Sequence, residues 1–223
     1  MITRLAVALS TSFLVALPAA ATIVTLNLNT TVEGTAPSGF PSLTFDDGNT
    51  AGSVRLTINS GGLTGGEFIS GVFFNYDAAP APLVFTLNLA STTGPTTGTV
   101  SQGSDGQNTP GNQGLFDIGI TFLTANNNGG INRFNAGEVV VYDITGAGLT
   151  AESFNLLSAL QQGTGNYALA RVQGITGDAS ASVAYPGPGL PPPLEQVPAP
   201  AALGLLGLGL AGLGALRRRR EIC

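Results

Sequence analysis

The chain has 223 residues, among them thirteen carboxylates, eight arginines, no lysine and no histidine, for a formal net charge of −5. Without histidine there are no His-based triads, no Cys–His pairs and none of the usual zinc ligand sets, and the single cysteine, Cys223, is the last residue. Between Thr22 and Pro200 only Arg55, Arg133 and Arg171 oppose twelve carboxylates, a net of −9 that phosphate backbones repel; nucleic acid is therefore excluded as a partner.

The first 21 residues read as a secretory signal peptide. Arg4 gives a positive start, Leu5 to Leu17 a short apolar run, and Pro18 breaks it. Ala19 and Ala21 supply the small residues at the −3 and −1 positions, so cleavage is expected after Ala21. The run is too short to span a bilayer.

Residues 22–185 are expected to form one exported domain, long enough to bury about 70% of its unfolded surface without disulfides. Its strand signals are short and have a period of two. Ser53–Ile58 alternates Val54, Leu56 and Ile58 with polar neighbours, and Phe116, Ile118, Ile120 and Phe122 alternate with Asp117, Gly119 and Thr121. Further strands are expected at 23–28, 68–76, 83–89, 138–144 and 167–173, separated by turn clusters such as Asp46-Asp47-Gly48-Asn49, Ser60-Gly61-Gly62 and Asn126–Gly130. This pattern predicts an all-β fold, an antiparallel, jelly-roll-like β-sandwich. One short helix is expected over 151–157, capped by Thr150, stapled by Leu149 and Phe154, with Phe154 and Leu157 facing the sheet. Ser91–Gln113 has little apolar content and reads as a long surface loop.

Residues 186–196 form a proline-rich spacer, extended and semi-rigid by composition. The tail, 197–223, reads Val197-Pro198-Ala199-Pro200, then a Gly/Leu stretch to Leu216, then Arg217-Arg218-Arg219-Arg220. Its uncharged span of about twenty residues matches a single hydrophobic helix of roughly 30 Å, and the arginines would hold the C-terminus in the cytoplasm.

A proline motif, a Gly/Leu span and a terminal arginine cluster in this order resemble the PEP-CTERM sorting signal of Gram-negative bacteria that make extracellular polysaccharide. Ala199 stands where that family usually has glutamate. Gly148–Phe154, Tyr167–Ile175 and Glu67–Asn75 resemble segments of proteins from the same group. The resemblance implies an exosortase as partner, with Val197, Pro198, Ala199 and Pro200 recognised and Arg217 to Arg220 retaining the tail in the inner membrane until processing. It also implies localisation at the cell envelope or in the extracellular matrix.

Candidate chemistry within the domain is thin. Glu67, Asp117, Glu138 and Asp143 lie on or near strands and could pair as in a glycosidase, but there is no Trp and there are only four Tyr to stack on sugar. Asp46–Asn49 and Asp105–Asn108 carry oxygen ligands without EF-hand spacing and read as ordinary turns. Phe73, Phe74 and Tyr76 cannot share one face, so they form no aromatic platform. No catalytic, cofactor-binding or metal residue is assigned, and the expected role is non-enzymatic, structural or adhesive in biofilm or floc. A lectin-like carbohydrate-binding module, calcium-assisted or not, is the alternative, with extracellular polysaccharide as partner.

Overall fold

A computed structural model describes residues 21–48, 50–76, 82–160, 165–177 and 179–187. The leader through residue 20 and the whole sorting tail lie outside the described residues, as does Ala19 of the expected cleavage site. Ala21 is exposed, two residues before the first strand.

Among the described residues, twelve strands follow in chain order: β1 (Ile23–Asn27), β2 (Thr30–Gly34), β3 (Ser42–Asp46), β4 (Ser53–Asn59), β5 (Phe68–Phe74), β6 (Val84–Leu87), β7 (Gly98–Asn108), β8 (Leu115–Phe122), β9 (Phe134–Asn135), β10 (Val139–Thr145), β11 (Ala168–Ile175) and β12 (Ala179–Tyr185). They form two antiparallel sheets. One is ordered β1-β3-β4-β10-β6; the other is ordered β2-β12-β11-β5-β8-β7, with β9 paired to β5. The chain crosses between sheets after β1, β2, β4, β5, β6, β9 and β10, so the sandwich is woven rather than built from two independent meanders.

Alternation explains where the core sits. In β4, Val54, Leu56 and Ile58 are buried while Arg55 and Asn59 are exposed. Val24, Leu26, Leu43, Phe45 and Ile144 join them from the five-stranded sheet, and Ile69, Val72, Phe74, Ile118, Ile120 and Val183 meet them from the other. Small residues thin the second layer: Ala168, Ala170 and Ala181 are completely buried.

The stretch 91–113 is not a loop throughout, because Gly98–Asn108 is the edge strand β7, paired with β8 from Gly98↔Phe122 to Asn108↔Leu115. Its register breaks between Gln102 and Gln107, and residues 101–106 are all exposed. Backbone ladder bonds, not apolar side chains, hold such a strand, so composition did not signal it. Asp117 contributes by accepting the Asp105 N–H at 2.8 Å and the Tyr76 N–H at 3.3 Å. It is thus a half-buried turn anchor.

The expected helix over 151–157 is a single 3-10 turn, Ala151–Phe154. The Thr150 N–H donates to Ser153 Oγ at 3.2 Å, and the Asn155 N–H donates to Glu152 O at 3.0 Å, three residues back. Asn155 then leaves helical dihedrals. Phe154 is fully buried, whereas Leu157 is 52% exposed and does not face the sheet.

Candidate functional site

The outward face of the seven-stranded sheet carries a connected polar constellation. Register places Thr99, Thr121, Gly71, Arg171, Ser182 and Glu33 in one row across β7, β8, β5, β11, β12 and β2. Arg171 occupies the outward position between Ala170 and Val172, both of which are buried in the core. It lies flat along the row: Nη1 donates to Glu33 Oε2 at 3.0 Å and to Ser182 Oγ at 3.1 Å, and Nη2 donates to Ser180 Oγ at 2.6 Å. Ser182 Oγ in turn donates to Glu33 Oε2 at 2.9 Å. The guanidinium is thereby neutralised and fixed in orientation.

Beside it, Gln173 Nε2 donates to Ser70 Oγ at 3.2 Å, and Ser70 Oγ donates to the Arg171 carbonyl at 3.3 Å. Glycines shape the rest. A Cβ at Gly71 or at Gly119 would lie 3.3 Å from ring atoms of Phe73, so the absence of both side chains gives that ring its place against the sheet. Phe73 belongs to a second, smaller apolar cluster with Phe116 and Leu169, separate from the inter-sheet core. The result is a groove of about 470 Å³ bordered by Ser70, Gly71, Phe73, Thr121, Arg171 and Gln173. Phe73 is itself buried, so what the groove presents is hydroxyl, amide and guanidinium groups, which can hydrogen-bond a polyhydroxylated ligand.

The carboxylates singled out from the sequence are not brought together as a pair. Glu67 is buried, and its oxygens accept the N–H groups of Ser38 (2.8 Å) and Thr64 (3.0 Å) and the Ser38 hydroxyl. Burial pushes its carboxyl up, but those three hydrogen bonds outweigh burial and hold it below the usual glutamate range. Asp143 accepts from Arg55 Nε at 2.9 Å and from Asn88 Nδ2 at 2.8 Å, and the Arg55 bond leads in lowering its pKa. Glu138 accepts the Asn135 N–H at 2.7 Å.

In the turn after β3, Asp46 Oδ1 accepts the Gly48 N–H at 2.8 Å, the Asx geometry expected of Asp-Asp-Gly. Asp47 Oδ1 accepts the Thr22 N–H at 2.8 Å. Among the described residues, no three His, Cys, Asp or Glu side chains cluster closely enough to hold a metal ion.

Phe74 is sealed in the core, Phe73 lies in the second cluster and Tyr76 packs at the core margin, so the three make no platform. The Arg171 row was not singled out from the sequence. Its signal was available: one of the domain's three arginines sits at the polar phase of Ala168-Leu-Ala-Arg-Val, with serines at the matching phase of Ser180-Ala-Ser182. Only the register shows that they meet.

Val197 to Pro200 and Arg217 to Arg220 lie outside the described residues, and among those described no helix is long and apolar enough to cross a membrane. The tail is recognisable by comparison instead. The PEP-CTERM protein-sorting motif matches residues 196–220. No curated protein and no solved structure matches the chain. The chain thus carries a PEP-CTERM sorting signal, which implies processing by an exosortase and export to the envelope of a Gram-negative cell.

Proposed function

We propose that this protein is a non-enzymatic, exported β-sandwich that is delivered through its C-terminal signal and serves a structural or adhesive part in biofilm or floc. The observation that carries the reading is the sorting motif at 196–220, placed behind the β-domain and the proline-rich spacer. In this reading Val197, Pro198, Ala199 and Pro200 are recognised by the exosortase. Arg217 to Arg220 hold the Gly/Leu span in the inner membrane until it is cut. The carboxylates on or beside the strands support a non-catalytic domain, since Glu67, Glu138 and Asp117 fix backbone amides and Asp143 fixes Arg55. Replacing Arg217–Arg220 with neutral residues is expected to weaken membrane retention and alter surface display. Unchanged fractionation and an unchanged intact mass of the recovered protein would refute the sorting role. Turnover of a polysaccharide that is abolished by Asp117→Asn or Glu138→Gln would refute the non-enzymatic one.

A second reading, a carbohydrate-binding module, draws support from the Arg171 groove. Its lining offers the hydroxyls of Ser70 and Thr121, the Gln173 amide and the Arg171 guanidinium as hydrogen-bonding groups on one open face. Glycan arrays with and without calcium separate the readings. Saturable binding to one glycan, weakened by Gln173→Ala, favours the module; a flat array favours the structural role.

A further inference from the structure

We infer that removal of the leader creates an ion pair that closes the edge of the five-stranded sheet: the new α-ammonium of Thr22 is captured by Asp47. The inference rests on the reading of residues 1–21 as a signal peptide cut after Ala21.

Asp47 already surrounds this nitrogen. The Thr22 N–H donates to Asp47 Oδ1 at 2.8 Å, and the Asp47 N–H returns a bond to Thr22 O at 3.2 Å. The second carboxylate oxygen, Oδ2, accepts the Ala151 N–H at 3.5 Å, where the 3-10 turn begins. One side chain therefore ties together the start of β1, the turn after β3 and the turn that carries Phe154 into the core.

In the unprocessed chain the Thr22 nitrogen is a neutral amide with one proton. Hydrolysis adds water across the Ala21–Thr22 bond; Ala21 leaves with the new carboxylate and Thr22 keeps the nitrogen, which takes up protons as an ammonium. The atom that was a neutral donor to Asp47 becomes a cation with three donors at the same 2.8 Å position. β1 is an edge strand, paired only with β3 from Ile23↔Asp46 onward, so its first residue is where the sheet would otherwise fray. Cleavage adds a charge contact where it removes chain.

The other charged groups on the surrounding elements are Asp46 at the end of β3, Arg55 opposite it on β4, and Glu152 on the 3-10 turn. Two carboxylates against one guanidinium leave a background that also favours the ammonium, so only a change at Asp47 isolates the contact.

The chain offers an unusually clean test, because it contains no lysine: the α-amino group is the only amine in the mature protein. Protein exported and recovered from cells would be checked by intact mass for a Thr22 start. Its unmodified amine would then be titrated through the Thr22 ¹³Cα and carbonyl shifts of ¹³C-labelled protein, alongside Asp47→Asn and a form keeping Ala21. An ordinary α-amine titrates near pH 7.7–8.0. The expected result is a value roughly one unit higher in the Thr22 protein, a tenfold change in the protonation equilibrium. It should fall back in Asp47→Asn and be absent in the Ala21 form, whose amine lies one residue away. A start other than Thr22 overturns the inference through the leader reading. A Thr22 start with an amine no higher than that of the Ala21 form, or indifferent to Asp47→Asn, overturns it through the ion pair. Should Asp47→Asn not fold, Asp47→Ser, which also removes the charge, makes the same comparison.

Discussion

Phe154 stacks on Phe45 with ring centroids 4.4 Å apart and planes 11° from parallel, and Phe74 meets both rings edge-on at 5.8 and 5.3 Å. Phe45 belongs to β3 and Phe74 to β5, so a residue from a four-residue turn joins the two sheets. Phe154→Ala is expected to cost about 3–5 kcal/mol, the range for emptying a fully buried aromatic site. Leu157→Ala, at an exposed position, should stay within about 0.5 kcal/mol. Urea melts compare them: a lower midpoint with unchanged slope for the first, and near-superposition with the parent for the second.

Glu67 closes the loop between β4 and β5 onto Ser38, and its carboxylate satisfies two backbone amides that are otherwise without a strand partner. Burial pushes this carboxyl up; hydrogen bonds from the Ser38 hydroxyl and the Thr64 and Ser38 amides prevail, and the folded value lies below the ordinary 4.5. The stabilisation is therefore complete above that ordinary value and is lost as pH falls through the lower folded value. Glu67→Gln keeps the shape and forfeits the charge, at an expected cost of about 1.5–3 kcal/mol at neutral pH. Melts at descending pH should show the gap between parent and variant beginning to close near pH 4.5. A gap that widens on acidification would contradict the assignment.

Arg55 and Asp143 form a more modest pair, 2.9 Å apart, with side chains 53% and 36% exposed. The Arg55 hydrogen bond holds Asp143 below its ordinary value of 3.8, so this contribution too is present at neutral pH and lost on acidification. Solvent screening limits it. Arg55→Gln should cost less than about 1 kcal/mol at pH 7 and still less in 1 M salt, and should become neutral once Asp143 is protonated. Denaturation at two pH values and two salt concentrations tests all three statements.

The sandwich was legible wherever burial has large amplitude. Val54-Arg55-Leu56-Thr57-Ile58 contrasts apolar and polar so strongly that face and period both follow from it. In β12 the side chains of Ala181 and Val183 join the core while Ser182 bonds Glu33, but Ala181 to Ala184 are all buried, so no alternation of burial marks the strand. β7 has almost none, because its partner is the β8 backbone. The groove required still more, since Arg171 and Glu33 are 138 residues apart and meet only through the register of two intervening strand pairs. Sorting information is different in kind: a short linear signal read by another protein depends on order and spacing, and so it was legible without any fold.

Gly174 marks the bulge between Gln173 and Ile175, where β11 slips against β12. Its φ is +73°, and an added Cβ would lie 2.2 Å from Gly66 O, a backbone atom that cannot swing aside. Gly177 has a similar φ of +80° with nothing within 4 Å of its would-be Cβ. The pair separates conformational strain from collision. Gly177→Ala should cost about 1–2 kcal/mol, the left-handed penalty alone. Gly174→Ala carries the same penalty and must also displace the 66–68 backbone, so it should be the more destabilising by at least about 1 kcal/mol. Because Gln173 adjoins the bulge, the same change should disturb its bond to Ser70, visible as shifted side-chain amide resonances that Gly177→Ala leaves in place. Equal costs for the two variants would mean that the close approach of residues 66 and 174 is relieved at no expense, and the bulge would then owe its glycine to dihedral angle only.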